Sequence, residues 1–271
     1  MSTFVQRLYA SSPALRWGVI VLICIVATGV VATLGPIPQS QAYHDFADAR
    51  TFFGIPRAFD VLSNLPFCVV GLLGLAFTLH PRSALEQSQR WAYAVLFAGL
   101  LLTGLGSAYY HLAPDNQRLV WDRLPMTVAM AGVIAALLND RFGGRSVWLM
   151  PVLLALGAGT VLQWHFSEQQ GFGDLRWYAL YQGLTIICGT ALLALFPSRR
   201  EGTREFVIAV VANIAAKIFE LLDKPIYQLG GIVSGHTLKH LSAGLGFLPL
   251  ALLMYRAIGR ERNQAVLGKS A

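Results

Sequence analysis

The stretch Trp91–His111, WAYAVLFAGLLLTGLGSAYYH, decides the fold class because it is long, apolar and free of Asp, Glu, Lys and Arg. About 20 such residues are what an α-helix needs to cross the hydrocarbon core of a bilayer. Its last two turns carry Ser107 and His111, whose spacing puts both side chains on one helix face. Ionisable groups are expensive in hydrocarbon and usually line a bundle interior. The stretch therefore predicts a membrane helix with a functional end.

The composition of the whole chain also indicates a membrane protein. Of 271 residues, 55% are hydrophobic and 13% are charged, whereas a soluble domain is normally about 25% charged. The net charge of +7 does not indicate nucleic acid as a partner, because no run of basic residues is interleaved with aromatic residues. The basic residues instead lie in short loops beside apolar segments, which is the pattern of membrane topology.

Eight apolar segments are candidates for membrane-spanning helices. They cover residues 17–35, 60–79, 91–112, 120–138, 146–163, 176–196, 205–222 and 236–257. The segment 205–222 departs most from the pattern because Asn213, Lys217 and Glu220 interrupt it. We predict an all-α integral membrane protein with eight spans and no separate soluble domain.

The distribution of Lys and Arg predicts the orientation, because cytoplasmic loops are enriched in both. With the N-terminus inside, 13 of the 21 Lys and Arg residues fall on the cytoplasmic side and 6 on the other side. Both termini are therefore predicted to be cytoplasmic. His111, Asp122 and His236 then share one depth near the non-cytoplasmic face. The compact loops and the absence of organelle signals favour a bacterial inner membrane.

Five polar residues in or at the ends of apolar segments form one chemical set, which is Ser107, His111, Asp122, His236 and His240. Two histidines spaced i, i+4 can reach one metal ion, and a third leaves one tetrahedral position open, as in catalytic zinc sites. Asp122 is a candidate general base, and Ser107 is a candidate donor to an oxyanion. The alternatives are interfacial roles for the single histidines and an ion pair between Asp122 and Arg123.

This set resembles the signature of the CREST superfamily of membrane hydrolases, and within it the alkaline ceramidases. The local matches are Gly106-Ser107 through His111, Asp122 followed by Leu124-Pro125-Met126, and Ser63-Asn64 in the first core helix. The resemblance implies a seven-helix bundle and makes the first helix an addition, in a bacterial-type member. The predicted parts are a cytoplasmic segment with the additional helix over 1–42, a hydrolase domain over 43–258 and a cytoplasmic tail over 259–271.

The resemblance also implies a reaction and the residues that perform it. The implied zinc ligands are His111, His236 and His240, and the implied catalytic residues are Ser107, Asp122 and Tyr181. For Tyr181 an ordinary bundle aromatic is the alternative. The implied activity is intramembrane hydrolysis of the N-acyl amide bond of a lipid such as ceramide by zinc-activated water, which releases a fatty acid and a sphingoid-type amine. The substrate would come from the bilayer, as part of sphingolipid metabolism, and no obligate protein partner is evident.

Calcium is not expected, although animal alkaline ceramidases bind it through an acidic segment before the first core helix. The matching segment Tyr43–Arg50 keeps Asp45 and Asp48 but places arginines, Arg50 and Arg57, where further oxygen ligands would stand. Calcium requires six to eight oxygen ligands, and neighbouring cations oppose its binding. We expect the two aspartates to pair with the two arginines instead.

Two other functions remain open at this point. One is a receptor-like or regulatory member of the same superfamily, in which the zinc is structural. The other is a transporter with a His/Asp proton relay, which predicts no bound metal. The Leu-Pro-Met sequence after Asp122 favours the hydrolase over the receptor.

Overall fold

The computed structural model describes residues 12–198 and 202–267, and all regular structure in them is helical. Arg7, Arg199, Arg200 and Lys269, which contribute to the orientation prediction, lie outside the described residues. The α-helices are α1 Pro13–Thr33, α2 Ala58–Leu62, α3 Leu65–Thr78, α4 Gln87–Leu112, α5 Asn116–Phe142, α6 Met150–Gln169, α7 Arg176–Leu195, α8 Thr203–Leu221, α9 Asp223–Gln228, α10 Gly235–Leu245 and α11 Leu248–Leu267. Two 3-10 helices, Gln41–His44 and Gly144–Leu149, complete the order.

Seven helical stretches in the described residues are long and apolar enough to cross a membrane. They are Pro13–Thr33, Ala58–Thr78, Gln87–Leu112, Asn116–Phe142, Gly144–Gln169, Arg176–Leu195 and Gly235–Gly259. This confirms the predicted all-α integral membrane protein. The remaining predicted span, 205–222, is present as α8 but is not one of the seven. The reason is its charge, since Arg204, Glu205, Lys217 and Glu220 all lie within its 19 residues.

Helices α4 and α5 pack backbone to backbone because glycines stand at their crossing. A Cβ on Gly99 would overlap the backbone of Ala129, and a Cβ on Gly132 would overlap the backbone of Leu96. Small residues allow this close approach, which is the usual means of helix association in membranes. The pairing aligns the end of α4 with the beginning of α5, where Ser107 and Asp122 lie.

Helix α10 begins directly before the predicted metal-binding histidines His236 and His240. Ser234 caps its first turn by accepting a backbone N–H at 3.0 Å. Gly235 lets this turn touch α8, because a Cβ there would overlap the carbonyl oxygen of Phe219. The start of α10 is thereby fixed against α8, and His236 and His240 follow on one face of its first two turns.

The segment that joins α1 to α2, residues 35–57, is named the strap. It is tied to the ends of α6 and α7, since Leu175 donates its N–H to the carbonyl of Ile37 at 2.8 Å and Gln39 donates its N–H to Glu168 at 2.6 Å. Helix α1 itself packs on α7, where the sulfur atoms of Cys24 and Cys188 lie 3.6 Å apart. The strap therefore crosses the end of the bundle at which the polar residues gather.

Candidate metal centre and active site

Three buried histidines converge from two helices. His111 lies in the last turn of α4, and His236 and His240 lie in the first two turns of α10. One ring nitrogen of each lies within 4.8 Å of the others, so the three could hold one metal ion. The sequence predicted that these residues share one depth, and the structure places them in contact.

The histidine spacing fits a tetrahedral metal. The Nε2 atoms of His111 and His236 face each other at 3.2 Å. Two nitrogens bound to one tetrahedral zinc at the usual length of about 2.0–2.1 Å stand roughly 3.3 Å apart. A shared cation would also account for the meeting of nitrogens from three buried histidines at one place.

The tautomer of His240 follows from its neighbours. Ser63 donates its hydroxyl proton to the carbonyl of Asp60 at 3.1 Å, and its oxygen lies 2.8 Å from Nδ1 of His240. Because Ser63 has a single proton, its oxygen accepts from Nδ1–H of His240. The Nε2 lone pair is then free for a metal, and the ring orientation is set by a hydrogen bond of the kind that metal-binding histidines make.

Replacing Ser63 by alanine is expected to weaken metal binding without removing it. The substitution deletes the acceptor for Nδ1–H of His240, and loss of such an outer-shell partner costs about 10–100-fold in metal affinity. Competition with a zinc chelator measures the change. Ser242→Ala is a matched control, because that hydroxyl donates to the carbonyl of Ala212 in α8 and touches none of the histidines. Equal zinc affinity in both variants would show that Ser63 does not support metal binding.

Asp60 is a buried carboxylate next to the histidine group. The sequence analysis assigned it no role. Its side chain is fully buried, and Oδ1 accepts from the hydroxyls of Thr237 at 3.1 Å and Ser234 at 3.4 Å. It thereby links α2 to the first turn of α10. A carboxylate at the beginning of the predicted span 60–79 was the available signal, because an ionisable group in a membrane helix indicates a function.

Ser107 and Asp122 meet across the α4–α5 crossing. Both are buried, and the Ser107 side chain is a close neighbour of the carboxylate of Asp122. Gly106 makes this possible, because a Cβ at this position would overlap the carbonyl oxygen of Trp121. That carbonyl lacks its helical donor, since Pro125 stands four residues later in α5 and has no N–H.

Replacing Gly106 by alanine is expected to separate α4 and α5. The new methyl group must displace the backbone at Trp121, and overpacking of this kind costs about 1–3 kcal/mol of unfolding free energy. Thermal unfolding in detergent measures the loss. Gly159→Ala in α6 is the control, because nothing lies within 4 Å of a Cβ there. Should both variants match the wild type in stability, the close packing at Gly106 is not needed.

Tyr181, the third predicted catalytic residue, lies away from the histidines. Its hydroxyl donates to the carbonyl of Leu153 in α6 at 3.0 Å and lies 3.4 Å from that of Thr127. Tyr178, one turn earlier on α7, is one of three tyrosines, with Tyr43 and Tyr110, that interact electrostatically with Asp122. A catalytic role for Tyr181 stays a prediction that none of its hydrogen bonds supports.

The strap covers the histidines with an aromatic ring. Phe46 packs on His111 and His236 with ring centroids 4.6 Å and 4.4 Å apart. The next residue, Ala47, donates its N–H to Asp223 at 2.9 Å, and the other oxygen of Asp223 accepts the N–H of His236 at 2.8 Å. One carboxylate thus joins the strap to the start of α10.

The two strap aspartates are each paired with a cation. Asp48 pairs with Arg50 at 2.6 Å, as expected, but Asp45 pairs with Lys224 at 2.6 Å rather than with an arginine of the strap. Burial acts to raise the pKa of Asp48, yet the hydrogen bonds from Arg50 outweigh it and lower that pKa. The hydrogen bond from Lys224 likewise lowers the pKa of Asp45. Low calcium affinity stays a prediction, which these ion pairs favour.

The ion pair of Lys239 and Glu220 is a further charged group that acts on Asp122. Lys239, between the two histidines of α10, donates to Glu220 of α8 at 2.8 Å. Tyr43 of the strap donates its hydroxyl to the same carboxylate at 3.3 Å. Lys239 and Glu220 both act electrostatically on Asp122. Sequence reasoning assigned no role to Lys239, because a lysine next to a histidine in a helix does not reveal which side chain faces inward.

The family model for ceramidases matches residues 55–265. The chain belongs to the ceramidase family. The matched range covers most of the chain and contains the three histidines, Ser107 and Asp122, whereas α1 and most of the strap precede it. A search of curated proteins found no match.

Membership in the ceramidase family implies an amide hydrolase of ceramide type. The buried histidine group supplies a place for a metal ion in such an enzyme. The resemblance seen in the sequence is therefore confirmed at the level of the family.

Proposed function

We propose that the chain is an intramembrane zinc-dependent amidohydrolase that cleaves the N-acyl amide bond of a membrane lipid such as ceramide. The observation that carries the proposal is the buried group His111, His236 and His240 in a member of the ceramidase family. The products would be a fatty acid and a sphingoid-type amine. This reaction belongs to sphingolipid metabolism.

Zinc is the metal that the donor set favours. Three neutral imidazoles suit zinc, and three protein ligands leave the fourth position that a catalytic zinc site keeps open. When bound, zinc would lower the pKa of a coordinated water molecule and polarise the amide carbonyl.

We assign the proton transfer to Asp122. Its carboxylate would accept a proton from the attacking water and later donate it to the amine as the carbon–nitrogen bond breaks. The water oxygen ends in the fatty acid, so atoms and charge balance. We assign to Ser107, a close neighbour of Asp122, the role of orienting this carboxylate through a hydrogen bond from its hydroxyl. Its hydroxyl can also turn towards the developing oxyanion.

A membrane-facing groove supports a lipid substrate. It measures about 360 Å³, runs between α4 and α5, and is lined almost entirely by apolar atoms. Gly106 and Trp121, which line it, are the sequence neighbours of Ser107 and Asp122. An acyl chain in this groove would lie next to the proposed base.

The proposal is tested by fatty-acid release, measured by mass spectrometry, together with the metal content of the purified protein. A panel of N-acyl lipids that includes ceramides is incubated with protein that is zinc-loaded, stripped by chelator, or stripped and reloaded. We expect about one zinc per chain, release by the loaded forms only, and recovery on reloading. Bound zinc with no release from any lipid would favour the receptor-like role instead, and equal release by stripped protein would refute zinc dependence.

We further propose a bacterial inner membrane, both termini in the cytoplasm and the zinc site towards the non-cytoplasmic face. The excess of 13 over 6 Lys and Arg residues supports this orientation. We place the hydrolase domain at residues 43–258, after the additional helix. Protease accessibility of a C-terminal tag in spheroplasts tests the orientation, and cleavage of the tag without lysis would show that the C-terminus lies on the non-cytoplasmic side.

A further inference from the structure

Arg123 is a buried cation that forms no salt bridge in the part of the chain that the structure describes. Its residue exposure is 5%, and no described carboxylate oxygen lies within 4.0 Å of its guanidinium. Its Nη1 atom is buried and has no hydrogen-bond partner among the described residues. Arginine is almost never fully buried unless it is paired, so this side chain requires an explanation.

The groups in direct contact with Arg123 are neutral, and the nearby carboxylate of Glu168 accepts from two of them, Trp164 at 3.2 Å and Gln39 at 2.6 Å. Its guanidinium carbon lies 4.2 Å from the ring centroid of Trp164, 5.0 Å from Tyr178 and 5.7 Å from Tyr43. Its Nη2 donates to the side-chain oxygen of Gln39 in the strap at 2.5 Å. Aromatic faces attract a cation but carry no net charge. The three rings and Gln39 form a cage that orients the guanidinium, and none of its members is a carboxylate.

The cage lies beside the proposed catalytic base. Arg123 follows Asp122 in α5 and acts on it electrostatically, and Tyr43 of the cage donates to Glu220, the partner of Lys239. Lys239, another cation that acts on Asp122, is paired with Glu220 at 2.8 Å, a carboxylate that it shares with Lys217. Among the described residues, Arg123 is a cation near Asp122 that has no ion-pair partner and keeps an unpartnered N–H at Nη1.

We infer that Arg123 binds an anionic group of the substrate lipid, a carboxylate or a phosphate close to the scissile amide. The inference rests on the proposed amidase function and narrows its substrate class. A planar guanidinium with a free N–H edge recognises both of these anions, often through two parallel hydrogen bonds. N-acyl amino acids carry a carboxylate at this position, and N-acylated amino-alcohol phosphates carry a phosphate. Ceramide, which carries neither a carboxylate nor a phosphate, would be the weaker substrate.

Matched substrates test the inference on the full-length, zinc-loaded protein. They are an N-acyl amino acid, its methyl ester, an N-acylated amino-alcohol phosphate and ceramide, and kcat/KM is measured for each. We expect a preference of about 10–100-fold for one of the two anions over the neutral lipids, the range that a hydrogen bond to a charged group provides. The preferred anion identifies the source. Equal kcat/KM for charged and neutral lipids would overturn the inference.

Variants separate anion binding from a structural role of Arg123. Arg123→Gln is expected to lose the preference while the methyl ester is still hydrolysed, and Arg123→Lys is expected to retain part of it. Lys224→Gln is the matched control, since it removes a cation that is exposed and paired with Asp45. If Arg123→Gln and Arg123→Lys slow charged and neutral substrates equally, Arg123 is structural and the inference is wrong.

A binding measurement distinguishes failure of this inference from failure of the proposed function. Non-hydrolysable ketone analogues of the N-acyl amino acid and its methyl ester are titrated while tryptophan fluorescence is recorded, because Trp164 contacts Arg123. A preference for the carboxylate that Arg123→Gln abolishes, without hydrolysis of any amide, would support the inference and refute the amidase. Hydrolysis without a preference for the anionic lipid in either assay would support the amidase function and refute the inference. The absence of both hydrolysis and an anion preference would refute the amidase function and the inference together.

Discussion

Replacing His240 by alanine is expected to remove the metal and the amidase activity together. His240 is 3% exposed, its ring is oriented by Ser63, and it is one of three nitrogen donors that could surround the ion. Two remaining histidines cannot supply the three protein ligands of a catalytic zinc site. Zinc affinity should fall by more than about 100-fold, the upper end of the cost of losing an outer-shell partner. Elemental analysis and fatty-acid release on the same sample measure both losses.

The control for this variant is His165→Ala, which deletes the same side chain from α6. His165 hydrogen-bonds to the exposed Gln169 and lies outside the histidine group. Comparing the unfolding temperatures of metal-stripped wild type and His240→Ala separates loss of the metal from loss of the fold. Wild-type zinc content in a correctly folded His240→Ala protein would show that His240 is not a ligand.

Membrane helices could be predicted because length and apolarity are local properties. The stretch Trp91–His111 lies inside α4, whose observed bounds are Gln87–Leu112, and the predicted span 236–257 lies inside a helical region that breaks at Gly246–Phe247. The span prediction ignored a local signal for the break, since Pro249 has no N–H to donate to the carbonyl of Leu245 and Gly246 lies between them. The break makes α10 a short separate helix.

The histidine group could be predicted because spacing within a helix is also local. His236 and His240 share a face at any helix orientation, and charge counts placed His111 at the same depth. The structure brings the three together, while their roles stay predictions. Tyr181 shows the limit, since its hydroxyl donates to the backbone carbonyl of Leu153, whereas the ring of Tyr178, one turn earlier, lies against the guanidinium of Arg123. Rotation of a helix about its own axis is set by packing, which an apolar sequence leaves open.

The contacts of the strap could not be predicted from the chain. Phe46 covers two histidines more than 60 residues away, and Gln39 reaches Arg123 across 84 positions. Pairs this distant leave no periodic signal in one sequence. Arg123 itself was weighed only as an ion-pair partner for Asp122, whereas the structure places it in an aromatic cage.

Replacing Asp122 by asparagine is expected to retain the metal and to abolish most turnover. Asparagine has nearly the same shape and its carbonyl oxygen can still accept the hydrogen bond from Ser107, so the α4–α5 crossing should persist. The amide cannot take a proton from water or return it to the leaving amine. The loss of a positioned acid–base group costs about 10²–10⁴-fold in rate. Fatty-acid release under single-turnover conditions measures this loss, because it removes product release from the observed rate.

Asp115→Asn is the matched control because it makes the same change on the same helix. Asp115 caps α5 by accepting the N–H of Arg118 at 2.7 Å, its side chain is 54% exposed, and asparagine caps a helix equally well. The double variant Ser107→Ala, Asp122→Asn adds a second test. If Ser107 acts by orienting Asp122, its removal should cost little once the carboxylate is gone, since groups that work as a unit are not additive. Full activity of Asp122→Asn with zinc bound would show that another group moves the proton.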